Sequence, residues 1–414
     1  MIKFKLAFIL RVIGTALTFF VSVLITRTIS IQDAGYVFFI ISFTSIVASL
    51  STLGQNNLIL KKCSSVKYSM GEKHYFFKKC LYRTCFSSII FFSILLPVLI
   101  HYSNDNPYLW SFSYILLLLI MATACNILFY SYIQAKEKVI QSIYLQYLIQ
   151  PVVLILLIWG CTYFFKGGEG VIISYLISML LISVCMLIYL QGNKVRFGYK
   201  DLKNKLSINF KYRELNEYFV GNSLGMIIVQ SYVVISGLLL GASDVALIAV
   251  SDRISLIINL FAMSISSVLA PRVATLISQG DMEAVEILVK KTIVYLAIPC
   301  VLGVLVFSLF SDFILSIYGS SYEHGSTILI ILVIAQVVNA VLCPIYIFLN
   351  MNDKQGFISK LHIYVLLPAL SLTYFLTNYL GALGIAVSKL VVVCVINIIP
   401  AVYFITLTKV RKSK

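Results

Sequence analysis

The chain has 414 residues, of which 60% are hydrophobic and only 12% are charged. Soluble domains carry about a quarter of charged residues, so this composition excludes a soluble globular protein. The net charge is +16 at pH 7 and the mean hydropathy is +0.97. Because apolar runs of about 20 residues recur along the whole chain, the sequence predicts an all-α integral membrane protein.

Apolar runs separated by turn residues and charges predict twelve transmembrane helices. The first run is interpreted as a membrane helix and not as a secretion signal, because it is too long and Arg11 interrupts it. The spans are expected roughly at 4–26, 36–58, 80–101, 108–132, 143–165, 169–191, 218–240, 244–270, 292–318, 325–349, 357–378 and 381–407.

The distribution of basic residues predicts which way the helices point. If the N-terminus is cytoplasmic, the inward segments hold 25 of the 32 basic residues, and the outward loops hold only Arg27 and Lys166. By the positive-inside rule, both the N- and C-termini are therefore expected in the cytoplasm. The same rule accounts for the net charge without a nucleic-acid partner.

The longest polar connector, 191–218, divides the chain into two six-helix bundles. Within it, 200–212 has the composition of an amphipathic helix lying on the cytoplasmic membrane surface. Asp33 and Asp244 each open a helix after a tight turn, which indicates a parallel pseudo-repeat. The predicted domains are an N-terminal six-helix bundle at 1–192, a basic cytoplasmic linker at 193–217 and a C-terminal six-helix bundle at 218–414.

Polar side chains recur at helical spacing inside the predicted spans. Since lipid offers them no hydrogen bonds, they are expected to face the bundle interior or a wet cavity. Ser and Thr at this spacing also serve close helix packing, so each single hydroxyl is compatible with either role. The first helix carries one such stripe, with Arg11, Thr15, Thr18, Ser22 and Thr26.

The embedded charges predict a cationic translocation pathway. Arg11, Arg253 and Lys389 are three embedded cations, against one embedded carboxylate, Asp252. An excess of cations suits an anionic passenger, and guanidinium groups suit phosphate. Two alternatives stay open: Arg11 snorkels to the headgroups, or Arg253 and Lys389 pair with Asp252 inside the bundle. The candidate pathway residues are Arg11, Thr15, Ser22, Asp252, Arg253, Asn259, Gln336, Asn339 and Lys389.

The sequence indicates no catalytic site, metal site or cofactor. The four histidines are scattered, the nine cysteines lack metal-binding spacing, and no glycine-rich nucleotide loop is found. A membrane polymerase or glycosyltransferase acting on lipid-linked sugars would be expected to carry a large periplasmic loop or an acidic catalytic pair. The short outward loops disfavour that alternative.

Three segments of the chain form a recognisable pattern: "TRTISIQDAGYVFFIISFTSIVASLSTLGQNN", "GLLLGASDVALIAVSDRISLI" and "GALGIAVSKLV". They resemble Wzx-type polysaccharide repeat-unit flippases, a branch of the multidrug/oligosaccharidyl-lipid/polysaccharide exporter superfamily. The resemblance spans essentially the whole chain and implies two six-helix bundles in a V. "SDRIS" is also similar to a segment of the lipid II flippase in which an Arg lines the cavity, which implies that role for Arg253. The second half departs from the pattern, with Ala246 where the first half has Gly35.

The resemblance implies alternating-access transport in the bacterial inner membrane, without chemistry on the substrate. The substrate would be undecaprenyl-diphosphate-linked oligosaccharide, an O-antigen or related repeat unit, moved from the cytoplasmic to the periplasmic leaflet. The bilayer, a polysaccharide polymerase and a chain-length regulator are the other expected partners. A cation-coupled multidrug antiporter of the same superfamily is the main alternative, although one embedded carboxylate beside an Arg suits a cationic drug poorly.

Overall fold

The computed structural model describes residues 2–64, 68–102, 113–136, 138–165, 167–192, 212–352 and 354–412, and all regular elements in these ranges are helical. The α-helices are α1 (Ile2–Thr28), α2 (Ile31–Ser51), α3 (Gln55–Ser64), α4 (Met70–Tyr102), α5 (Ser113–Ala135), α6 (Val139–Tyr144), α7 (Gln150–Phe164), α8 (Gly168–Gly192), α9 (Tyr212–Leu239), α10 (Ala242–Ser255), α11 (Asn259–Ser278), α12 (Met282–Leu309), α13 (Ser311–Ser316), α14 (Ser326–Met351), α15 (Gln355–Leu380) and α16 (Ala382–Lys412). A π-helix (Leu145–Ile149) and two 3₁₀ helices (Leu256–Ile258 and Ser320–Gly325) lie between them.

Within the described ranges, nine segments are long and apolar enough to cross a membrane. They match nine of the twelve predicted spans and confirm an all-helical, multi-pass membrane protein. The other three predicted spans, 80–101, 218–240 and 244–270, fall on α4, on α9 and on the interrupted pair α10–α11. The nine segments are Ile9–Thr28, Ile31–Ser51, Tyr114–Ala135, Val139–Phe164, Gly168–Ile188, Met282–Leu309, Ser320–Met351, Gly356–Leu380 and Ala382–Thr408.

Helix α2 begins and ends earlier than the predicted span 36–58. Its N-cap is Ser30, whose Oγ accepts a hydrogen bond from the Asp33 amide at 3.1 Å. The helix stops because Leu53 and Gly54 adopt positive φ angles of 50° and 71°. Glycine takes this left-handed region freely, whereas a leucine there costs about 1 kcal/mol. The chain then resumes as the short helix α3.

Helix α12 also starts earlier than its predicted span, 292–318. Asp281 caps it, with its Oδ1 accepting from the Ala284 amide at 3.0 Å. The predicted span leaves Lys290 and Lys291 in a connector, but the helix runs through both. Lys290 is accommodated because its ammonium lies 2.6 Å from the Glu286 carboxylate, one turn earlier.

Two of the membrane helices contain irregular turns. The 3₁₀ turn Leu256–Ile258 divides the predicted eighth helix into α10 and α11, so no single straight helix covers 244–270. In the fifth helix, the π-helix precedes Pro151, which has no amide hydrogen to bond the carbonyl one turn earlier. π-helices often mark functional positions in membrane helices.

The α-carbon contacts group the chain into two compact units, Met1–Leu238 and Leu239–Lys414. Helix α9 thus belongs with the first unit, whereas the second bundle is predicted to begin at 218. The predicted linker and its surface helix lie almost wholly outside the described residues. The predicted three-part division therefore stays a prediction.

Each unit has its own apolar core. In the first, Phe77 stacks on Tyr132 with ring centroids 4.3 Å apart and tilts against Phe129 at 5.3 Å. In the second, Phe348 and Phe404 meet edge to face at 5.0 Å. Such aromatic pairs contribute about 0.5–1.5 kcal/mol each beyond their buried area.

Candidate functional site

The hydroxyl stripe of α1 is satisfied largely within its own helix. Thr15 Oγ1 donates to the Arg11 carbonyl at 2.9 Å, and Ser22 Oγ donates to the Phe19 carbonyl at 2.6 Å. Thr18 and Thr26 bond carbonyls of α1 in the same way. Thr18 is exposed while Ser22 and Thr26 are buried, so the predicted stripe is split between two environments. Because each of these hydroxyls donates its hydrogen to a backbone carbonyl, it can act toward a further group only as an acceptor.

Arg11 is half-buried, and its Nε is buried with no hydrogen-bond partner among the residues that the structure describes. One turn later, Gly14 brings α1 into close contact with the π-helix. A Cβ added at Gly14 would collide with the Cβ and carbonyl oxygen of Tyr147. Since buried side-chain donors are nearly always paired, the Arg11 Nε is an open donor in the interior of the first unit.

In the second unit the structure brings two predicted residues together. The Lys389 ammonium, in α16, donates to the Asp252 carboxylate, in α10. Their side chains are 6% and 15% exposed, so both charges are largely removed from solvent. An isolated charge in this setting would be costly, and the pair removes that cost for both groups. The sequence allows Asp252 to pair with Arg253 or with Lys389, and the structure contains the pair with Lys389.

Arg253 directly follows Asp252 and is half-buried. The formal charges of Asp252, Arg253 and Lys389 sum to +1. Lys389 and Asp252 balance each other in their ion pair, so the net positive charge of the group comes from Arg253. A local field of this sign favours an anion over a cation.

A second predicted set forms an amide cluster between α11 and α14. Asn259 Nδ2 donates to Gln336 Oε1 at 2.9 Å. Asn339 Nδ2 approaches Asn259 Oδ1 at 3.5 Å, the long limit of a hydrogen bond. Gln336 is 6% exposed, so its amide depends on this partner. The cluster offers further donors and acceptors of the kind that bind sugar hydroxyls.

The 3₁₀ turn lies between the ion pair and the amide cluster. Asp252 stands in the last turn before it, and Asn259 is the first residue after it. Ser255 Oγ donates to the Asp252 carbonyl at 2.7 Å, satisfying one of the backbone acceptors next to the break. The side chain of Ile258 packs so closely that a Cβ at Gly303 would collide with it.

Two polar groups of the second unit stand apart from the predicted set. Tyr346 Oη donates to the Ile396 carbonyl at 2.9 Å and joins α14 to α16. Asn397 Nδ2 donates to the Val393 carbonyl, whereas its Oδ1 is buried and has no hydrogen-bond partner in the described part of the chain. Both lie on the polar faces visible in the sequence. Their register with Gln336 and Lys389 is the signal that identifies them.

The first unit contains a polar network that the candidate set omits. Asn126 Nδ2 donates to the Met179 carbonyl at 3.0 Å, and Ser183 Oγ donates to Asn126 Oδ1 at 2.8 Å. Tyr130 Oη donates to Gln150 Oε1 at 3.1 Å. These bonds tie α5 to α7 and α8. These contacts could not be predicted from the sequence, because single Asn and Gln residues in apolar runs do not reveal their partners.

Two family models match the chain. The model described as polysaccharide biosynthesis protein matches residues 5–277, and the MatE model matches residues 218–380. No curated protein sequence matches the chain.

Solved structures with the same fold are transporters and flippases. The lipid II flippase MurJ, in an inward closed conformation, has a TM-score of 0.73 at 15% identity, with 98% of this chain and 88% of that chain covered. An inward-facing multidrug resistance MATE transporter of the MOP superfamily has a TM-score of 0.68 at 15% identity, with 96% of each chain covered. A MOP superfamily transporter from Pyrococcus furiosus gives 0.63 at 13% identity, with 98% and 96% covered.

At these identities, the structural likeness shows the fold, which is the one that these transporters and flippases share. The first family model covers well over half of the chain. The chain therefore belongs to the family of polysaccharide biosynthesis proteins.

Proposed function

We propose that the chain is a flippase for undecaprenyl-diphosphate-linked oligosaccharide, the repeat unit of O-antigen or a related surface polysaccharide. It moves this lipid from the cytoplasmic to the periplasmic leaflet of the bacterial inner membrane by alternating access. In this proposal twelve helices form two six-helix bundles with cytoplasmic termini. A polysaccharide polymerase and a chain-length regulator would act on the delivered unit.

The observation that carries the proposal is the cationic balance around the Asp252–Lys389 pair. The embedded carboxylate is engaged by an internal ammonium. A diphosphate arriving at this group meets two cations and one carboxylate that already has a partner. Arg253 is suited to a bidentate contact with one phosphate, because its planar guanidinium matches two oxygens. The Asn259 cluster supplies neutral hydrogen bonds for the attached sugar.

Arg11 has a matching role in the first unit. Its buried, open Nε supports a part in anion binding, since snorkelling would bring the whole guanidinium to water and headgroups. Thr15 and Ser22 lie along the same helix, and their oxygens can accept hydrogen bonds from sugar hydroxyls. We therefore include Arg11, Thr15 and Ser22 in the proposed pathway.

A multidrug antiporter is the second candidate, favoured by the MatE match over 218–380. Cationic drugs require an accessible carboxylate in the transport cavity. Asp252 is engaged by Lys389, so a drug cation would first have to displace a covalently tethered ammonium. This competition makes the antiporter the weaker candidate.

The test uses cells that lack the native gene and carry single variants of the full chain. R11A, R253A and K389A are expected to reduce surface polysaccharide at least ten-fold and to accumulate lipid-linked units on the cytoplasmic side. K290A is the matched control, because Lys290 is an exposed lysine paired with Glu286. Ethidium efflux by the same cells tests the antiporter. A normal amount of surface polysaccharide in all three variants, at normal protein levels, would contradict the proposed cationic pathway.

A further inference from the structure

A groove of about 630 Å³ lies between α11 and α12, near the turn that connects them. Two cations line it, Arg272 from α11 and Lys291 from α12. Most of the remaining lining is apolar and includes Leu276, Ile287 and Leu288. The groove therefore combines positive charge with a hydrophobic surface, as an amphiphilic anion requires.

Neither cation has a carboxylate partner among the described residues. The described lining of the groove contains no carboxylate, and neither Arg272 nor Lys291 forms an ion pair with any residue that the structure describes. The Lys291 ammonium lies 5.9 Å from the centre of the Tyr295 ring, which is a weak cation–π contact. Two exposed cations beside one groove repel each other, so a shared anion would stabilise both.

Lys291 also lies on the exposed side of α12. Ile287, Val294, Tyr295 and Ile298 are all more than half exposed, and with Lys291 they recur at helical spacing. The segment Met282–Leu309 is long and apolar enough to span the membrane. Basic pockets between membrane helices at the cytoplasmic side are typical sites for anionic lipid headgroups.

We propose that this groove binds one anionic glycerophospholipid, with its phosphate between Arg272 and Lys291 and an acyl chain along the exposed stripe of α12. A free phosphate would use the two cations but leave the apolar lining in water. The proposal is independent of the transported substrate, because the groove involves none of the proposed pathway residues.

The neighbouring residue provides a matched control. Lys290 differs from Lys291 by one position, which turns its side chain about 100° around the helix. Its ammonium is held by the Glu286 carboxylate at 2.6 Å. The same helix therefore carries one lysine with a partner and, beside it, one lysine in the groove.

The experiment measures lipid binding by the purified full chain in detergent. Native mass spectrometry counts bound lipid, and thermal unfolding reports stabilisation. The probes are phosphatidylglycerol, phosphatidylcholine with the same acyl chains, inorganic phosphate and undecaprenyl diphosphate. The variants are R272Q, K291Q, the double variant, K290Q, and R272K/K291R, which keeps both charges.

Phosphatidylglycerol is expected to bind and raise the unfolding temperature more than phosphatidylcholine, and inorganic phosphate to have no effect. Since each basic residue near a membrane surface contributes a similar increment, R272Q and K291Q should each bind about five-fold more weakly and the double variant about thirty-fold. K290Q and R272K/K291R should bind like the unsubstituted chain. If the double variant does not fold, the binding measured for the two single variants tests the proposal.

Three results would overturn the proposal. Unchanged phosphatidylglycerol binding in R272Q and K291Q would mean that the groove is not the site. An equal stabilisation by inorganic phosphate would assign the cations to a free anion. Displacement of bound phosphatidylglycerol by equimolar undecaprenyl diphosphate would assign the groove to the carrier lipid. Each result is read from binding alone, so it is separable from failure of the proposed transport function.

Discussion

Lys389 and Asp252 form an ion pair across 137 positions of the chain, between α16 and α10. Both side chains are largely shielded from water, so hydration stabilises neither charge well. The contact therefore fixes two helices of the second unit to each other and also sets the charge that a ligand meets there. Stability and charge can be separated experimentally, because each variant of the pair changes them differently.

Removing one member of this pair should destabilise the protein more than removing both. K389M leaves the Asp252 carboxylate without its cation, and we expect the free energy of unfolding to fall by about 3–5 kcal/mol. D252L/K389M removes both charges and should lose less than half as much. Denaturant unfolding in detergent, followed by circular dichroism, measures both values. K290M removes an exposed lysine, and its effect on stability is expected to be smaller than that of K389M, because the Lys389 side chain is 6% exposed and the Lys290 side chain 58%. Equal losses in the single and double variants would contradict this account.

The amide contact between Asn259 and Gln336 should show a positive coupling energy. N259L leaves the buried Gln336 amide without its partner and should lower the free energy of unfolding by about 1–3 kcal/mol. Q336L should have a similar effect. The double variant should lose less than the sum of the two single losses, because no amide is then left unpaired. A strictly additive cycle would show that the two side chains do not interact.

Gly14 should tolerate no side chain. G14A introduces a Cβ that collides with the Tyr147 backbone, and we expect a loss of about 1–3 kcal/mol in the free energy of unfolding. G160A is the matched control, because Gly160 also lies in a membrane helix and a Cβ there meets no atom within 4 Å. Alanine has the higher helix propensity, so G160A should be neutral or stabilising by up to about 1 kcal/mol. Equal unfolding temperatures for the two variants would show that α1 does not pack closely on the π-helix at Gly14.

His74 predicts a pH dependence of stability at the start of α4, ahead of the predicted span 80–101. Burial lowers the pKa of His74 below its usual value, and the nearby Lys78 and Lys136 lower it further. The unfolded chain therefore binds the proton more readily, so the stability contributed by neutral His74 is present above the unfolded pKa, near 6.5, and declines as the pH falls toward the folded pKa. Unfolding temperatures between pH 5 and pH 8 measure this slope. H74Q should flatten it, and an unchanged slope would exclude His74 as its source.

Cys63 should react slowly with thiol reagents. Burial raises its pKa to about 12, although Lys73 and Lys136 oppose that shift. At pH 8 only about one molecule in ten thousand then carries the reactive thiolate. Mass spectrometry after iodoacetamide treatment should find Cys63 almost unmodified in the folded chain and modified after unfolding. In a C63S background, S64C places a thiol at the adjacent exposed position and should react quickly. Comparable rates at the two positions would contradict the buried site.

Composition and hydropathy alone predict a multi-pass helical protein, because the requirement to satisfy backbone groups in lipid leaves few other solutions. The pairing of Asp252 is different. Sequence places both Arg253 and Lys389 as candidates, and the choice depends on how α10 packs on α16, far along the chain. The contact between Gly14 and Tyr147 likewise depends on packing that no local pattern encodes.

Irregular backbone was also only partly predictable. Pro151 indicates in the sequence that the fifth helix deviates from regular geometry, because proline cannot donate the helical hydrogen bond. The turn Leu256–Ile258 carries neither proline nor glycine, so composition gives no signal there. The start of α12 was ambiguous for a similar reason. Lys290 and Lys291 suggest a connector, whereas the N-cap at Asp281 places the start of the helix before them.

The 3₁₀ turn at Leu256–Ile258 makes α10 and α11 two rigid rods joined by a short joint. The rod before the joint is clamped to α16 through Asp252 and Lys389, and the rod after it is clamped to α14 through Asn259 and Gln336. Any change in the angle between the rods must break one clamp or carry a partner helix with it. A ligand that competes for either clamp therefore acts on the shape of the second unit as well as on its charge.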